Sequence, residues 1–223
     1  MKVNWEKLHP WVLSLEVAGA ATLINTLIAI PLSYFLARSK FAGKWVAEAL
    51  VVIPLVMPPT IVGFGLWYIV GRNGLYGWLT GGETLFWTIR AEVLASSIVS
   101  FPLLVLPMRT AFAAEPRELH EEARIAGASW WQRFIHISIP IARGGILAGI
   151  TLGFARALGE FGATIMLVST GDARTRTLPL QIYSDVGLHG DFAAAWPAVL
   201  ALASSALALI FVAHQSRWLN ADQ

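Results

Sequence analysis

The chain has 223 residues, of which 56% are hydrophobic and 13% charged, with a formal net charge of +2. That balance excludes an ordinary soluble domain, in which about 25% of residues are charged, and the scattered Lys and Arg exclude a nucleic-acid footprint. With no cysteine, disulfides, thiolate metal sites and a Cys nucleophile are excluded too.

Apolar runs at residues 11–36, 46–70, 91–114, 144–168 and 193–213 are each long enough for a membrane-spanning helix. The expectation is an all-α integral membrane protein with about five transmembrane helices, in which lipid is the solvent. The first run follows Lys2 and Lys7, contains Glu16 and is far longer than the apolar core of a signal peptide, so it reads as a retained span. Pro54, Pro58, Pro59, Gly63 and Gly65 crowd the second run and Pro102 and Pro107 the third. Such spans are expected to be kinked or broken, which is tolerated where neighbouring helices or a wet cavity satisfy the freed carbonyls.

The loop at 115–143 is more organised than a connector needs to be. Pro116 suits the first turn of a helix that Gly127 would end, with Leu119, Ala123 and Ala126 as a small apolar face. Ser129 and Gln132 have capping-box spacing for a second helix, which meets Pro140 on entering the fourth run. A short projecting helix of this kind suits a groove on another protein.

In the fourth run Gly145, Gly149, Gly153 and Ala157 recur every four residues, a stripe that permits close helix approach within the chain or across a homodimer. Arg156 and Glu160, also four apart, read either as a structural ion pair or as a pathway or gate element. Arg174 and Arg176 in the next loop could attract an anion or a partner.

Arg38, Lys40, Lys44, Arg109, Arg117, Arg124, Arg133, Arg143 and Arg217 fall on one side, and Lys2, Lys7, Arg72, Arg90, Arg174 and Arg176 on the other. The positive-inside rule makes the first set cytoplasmic, with the N-terminus outside and the C-terminus inside. No phosphate-binding Gly-x-x-x-x-Gly-Lys-Ser/Thr run occurs, and His9, His120, His136, His189 and His214 lack metal-ligand spacing, which argues against an integral membrane enzyme.

The order Glu121, Glu122, Ala123, three residues, Gly127, nine residues, Ile137, one residue, Ile139, Pro140 resembles the EAA loop of binding-protein-dependent ABC importer permeases. Glu122 stands where that family has Ala, and Ile139 where it has Leu. The stretch FARALGEFGATIMLVST from Phe154, followed by Thr175 to Pro179, is similar to the molybdate branch of that family, close to the sulfate permeases. The resemblance runs from about Leu13 to Leu209 and implies a single type I importer permease domain over residues 1–223. It also implies that Glu121, Glu122, Ala123, Gly127, Ile137 and Pro140 couple to an ATP-binding subunit, that the permease is a homodimer in a bacterial inner membrane, and that an extracytoplasmic binding protein delivers molybdate or tungstate. ATP and Mg would be held by the partner, with no cofactor in this chain. A sulfate or thiosulfate permease, and a secondary transporter using Arg156 and Glu160, are the alternatives.

Overall fold

The computed structural model describes residues 5–168 and 172–221. Lys2, Ser169 and Thr170 lie outside the described residues, as do the side chains of Lys7, His214 and Arg217. Every described element is helical. In chain order they are α1 (Trp5–Arg38), α2 (Lys44–Val56), α3 (Pro59–Val70), α4 (Leu75–Thr80), α5 (Ile89–Ala113), α6 (Arg117–Ile125), α7 (Trp130–Arg133), α8 (Ile139–Leu158), α9 (Leu178–Tyr183) and α10 (Phe192–Ala221). Four helical stretches are long and apolar enough to cross a membrane: His9–Arg38, Ile89–Ala113, Trp130–Leu158 and Phe192–Leu209. Large side chains such as Leu23, Leu27, Leu50, Val56 and Leu200 point outward, as they do when lipid is the solvent.

The proline-rich second run is broken. Lys44–Val56 and Pro59–Thr80 meet at an angle of 113°. Pro59 lacks an N–H and disfavours the α conformation at Pro58, which is held at ψ 133°, so the helix stops at Val56 and restarts in a new direction. Pro54 removes a further hydrogen bond within α2. α2 buries none of its residues and is fastened by Glu48, which accepts from Arg109 on α5 at 2.6 Å.

α5 is the central helix, with α1, α8, α2 and α3 packed around it. Its face against α8 shows what the glycine stripe does. A Cβ on Gly149 would lie 2.7 Å from the Leu104 carbonyl oxygen, one on Gly145 would lie 2.8 Å from the Pro107 oxygen, and one on Gly153 would overlap the Leu104 side chain. The stripe is therefore a same-chain seam that lets α8 approach the α5 backbone. Asn25 fastens α1 to α5 by donating to the Ser97 carbonyl at 2.8 Å and Ser100 Oγ at 3.1 Å.

The fourth run does not continue to residue 168 as a helix. α8 stops at Leu158, and an irregular segment with a short 3-10 turn (Thr164–Met166) follows. Glu160 accepts from the Ala163 N–H at 2.7 Å and so closes the turn after Gly159. This segment packs into the break of the second run: a Cβ on Gly63 would lie 2.6 Å from the Ala163 oxygen, and one on Gly162 would lie 3.0 Å from Pro59. The two irregular stretches are thereby interlocked, backbone against backbone.

Candidate functional site

The loop between α5 and α8 forms a built element rather than a connector. α6 starts after Pro116, whose fixed φ favours helix entry, and ends where Gly127 takes φ +87°. There the Ala128 N–H reaches back to the Ala123 oxygen at 2.9 Å and the Gly127 N–H to Arg124 at 3.0 Å, satisfying carbonyls that the helix end would otherwise orphan. Ser129 and Gln132 then form a reciprocal capping box: Ser129 Oγ accepts from the Gln132 N–H at 3.3 Å, and Gln132 Oε1 from the Ser129 N–H at 2.7 Å. From Trp130 the chain runs through a wide π turn (Phe134–Ser138) directly into α8, so the second helix and the fourth span are one continuous rod.

Glu121 and Glu122 are exposed on α6, Ala123 is half-buried, and Pro140 is exposed in the first turn of α8. Gly127 and Ile137, apart in sequence, line one open depression of about 400 Å³ with Gln132, Arg133 and His136. The apolar residue that α6 offers outward is Ile125, 83% exposed; Leu119 is 40% exposed, and Ala126 lies just past the helix end.

Behind α6 lies a polar hub that spacing did not reveal. The Glu115 side chain is completely buried, and its Oε2 accepts from Arg38 Nη2 at the end of α1 and from Ser138 Oγ at 3.1 Å, and pairs with His120 Nε2 of α6 at 2.9 Å. Beside it Tyr34, Phe112, Trp130 and Phe134 interlock edge-to-face and stacked, with Trp130 and Phe134 parallel at 5.4 Å. The signal available in the sequence was a carboxylate set directly after the apolar run that ends at Ala114. Glu92 on α5 was also missed; it is fully buried, and neither carboxylate oxygen has a hydrogen-bond partner among the described residues.

Arg156 and Glu160 do come together, with Nη1 2.7 Å from Oε2. They do not share a helix face, because Glu160 lies past the end of α8, where its other oxygen closes the turn. Arg174 and Arg176 form no joint patch. Arg174 is exposed and bidentate to Asp172, at 3.2 and 3.0 Å. The Arg174 side-chain hydrogen bonds, and then its backbone N–H, hold the Asp172 carboxyl below its ordinary range. Arg176 turns inward to donate to Gln181 Oε1 at 3.4 Å.

The fold superposes on a chain of a bacterial alginate ABC transporter crystallised with its alginate-bound periplasmic protein, with a TM-score of 0.78, 18% identity, and coverage of 95% of this chain and 78% of that one. Among sequence relatives, the molybdenum transport system permease protein ModB of Haemophilus influenzae is 40% identical over 183 residues, 80% of this chain and 79% of that protein. The ModB protein of Escherichia coli strain K12 is 39% identical over 212 residues, 93% of this chain and 90% of that protein. Residues 29–220 match the family model described as the binding-protein-dependent transport system inner membrane component, and the chain belongs to that family.

Proposed function

We propose that the chain is the permease subunit of an ATP-driven importer of molybdate, with tungstate carried alongside. It works as a homodimer with two ATP-binding subunits on the cytoplasmic face and an extracytoplasmic binding protein opposite, its N-terminus outside and its C-terminus in the cytoplasm. The carrying observation is the loop. α6 is stopped by Gly127, capped again at Ser129 and continued without interruption into α8. The names of the relatives supply the anion, and the geometry supplies the means.

In this reading the ATP-binding subunit receives Ile125 in an apolar pocket and meets the charged rim of Arg117, Glu118, Glu121, Glu122 and Arg124. Closure of the ATP-binding subunits displaces α6. The displacement enters the Trp130–Leu158 rod, about 44 Å long at 1.5 Å per residue. At the far end the Ala163 turn, closed by Glu160, packs on Gly63, so a tilt of the rod moves the break of the second span. The pathway then needs no tight anion site, because an oxyanion held firmly there would not be released; selectivity rests with the binding protein.

The test is a reconstituted complex assayed for ATP hydrolysis and uptake with molybdate, tungstate and sulfate. Molybdate and tungstate should stimulate both. Preference for sulfate would refute the anion assignment, and uptake without the ATP-binding subunit would refute the coupling.

A further inference from the structure

Glu115 is buried where a carboxylate is costly unless fully engaged, yet one oxygen carries every bond it makes. That oxygen joins three elements: the last residue of α1 through Arg38, α6 through His120, and the π turn leading into α8 through Ser138. Oε1 and Arg38 Nε are both buried without a hydrogen-bond partner among the described residues, although they belong to the same ion pair. A guanidinium and a carboxylate can bond twice in parallel, and here only one of the two bonds is made. Turned to grip Arg38 with both oxygens, Glu115 would engage Oε1 and Arg38 Nε and give up His120 and Ser138.

We propose that Glu115 is the pivot of the coupling element: a positioning residue that ties α6 to α1 and α8 in one state and lets α6 move against α1 in the other. This rests on the importer reading above and adds a mechanism to it. Glu115 and His120 lie outside the motif that carries the resemblance. Through Arg38 the hub reaches the end of α1 directly, in addition to the packing that α1 makes against α8. The aromatic group beside the hub joins the same parts, with Tyr34 of α1 and Phe112 of α5 packed against Trp130 and Phe134 of the rod.

The experiment measures ATP hydrolysed per molybdate accumulated in vesicles holding the complete complex, for the wild type, E115A, H120A and H120Q. The first two variants should raise that ratio about threefold or more while hydrolysis persists, a change within the range of coupling mutations. H120Q keeps an N–H donor and should restore the wild-type ratio. A purely structural role would lower the amount of assembled complex and leave the ratio alone. An unchanged ratio in assembled E115A and H120A, or hydrolysis falling in step with uptake, overturns the pivot. Should E115A fail to assemble, the half-buried His120 supplies the deciding variant. A wild-type complex with no ATP-dependent uptake of molybdate, tungstate or sulfate refutes the importer reading and the pivot with it. Uptake of sulfate alone refutes only the anion and leaves the ratio measurable with sulfate.

Discussion

Gly127 offers the sharpest test of the coupling element, because its substitutions separate backbone from side-chain effects. Its φ is +87°, and a Cβ built there meets nothing within 4 Å, so Gly127→Ala is penalised only for the left-handed backbone, by about 1–2 kcal/mol. Gly127→Pro is worse on three counts. Its φ is fixed near −65°, it deletes the N–H that bonds Arg124 at 3.0 Å, and it pushes Ala126 out of the helical region. The sum is about 3 kcal/mol or more, enough to unwind the end of α6 and lose the bond from Ala128 to Ala123. Asn tolerates the left-handed region, and Gly127→Asn should stay close to the wild type. Ala should reduce uptake per ATP by about 5- to 30-fold if the whole penalty falls on the ordered loop, and Pro should abolish uptake while the protein still inserts. The assay is uptake and hydrolysis on the same vesicles. Proline with wild-type uptake per ATP, or Asn as damaging as Pro, would refute the reasoning.

Gly149→Val places a branched side chain against the Leu104 carbonyl, which cannot retreat within α5. It should cost about 1–3 kcal/mol, visible as a lower melting temperature in detergent. Ile125→Glu should weaken binding of the ATP-binding subunit by about 2 kcal/mol or more, measurable by titration, with the melting temperature of the isolated permease unchanged. Glu160→Ala removes both the partner of Arg156 and the acceptor for Ala163, whereas Glu160→Gln keeps the acceptor. The Gln variant should retain most stability and the Ala variant should not; equal losses would show that the charge pair, not the turn, is what matters.

Much of the fold was legible because lipid imposes one rule on every span, and apolar length reports it directly. Pro58 and Pro59 announced the break, since a missing N–H and a restricted neighbour act locally. The end of α8 was not legible. Apolar length carried the run to Val168, while Gly159 at the helix end and Glu160 accepting from the Ala163 N–H stop it locally, and the course after that follows the tertiary fit of Ala163 and Gly162 against Gly63 and Pro59. The same division holds at the site. The stop at Gly127 and the cap at Ser129 are spacing effects within a few residues. The Glu115 hub draws on Arg38, His120 and Ser138 from three separate elements. The glycine stripe fell between these cases, since periodicity showed a close approach and only the packing identified α5 as the partner.

The broken second span also divides by how fast its two halves open. α3 is pinned where Gly63 meets the Ala163 backbone, while α2 buries nothing and borders a crevice of about 760 Å³ shared with α1 and α5. Local opening of α2 disrupts its own backbone bonds, the Glu48 ion pairs and the packing of the half-buried Ala47 and Val51, with no fully buried residue to expose. Opening α3 must unlatch the segment after α8. Amide exchange should proceed sooner in Lys44–Val56 than in Pro59–Val70, so that one hydrophobic stretch carries two lifetimes, with Pro58 as the boundary between them.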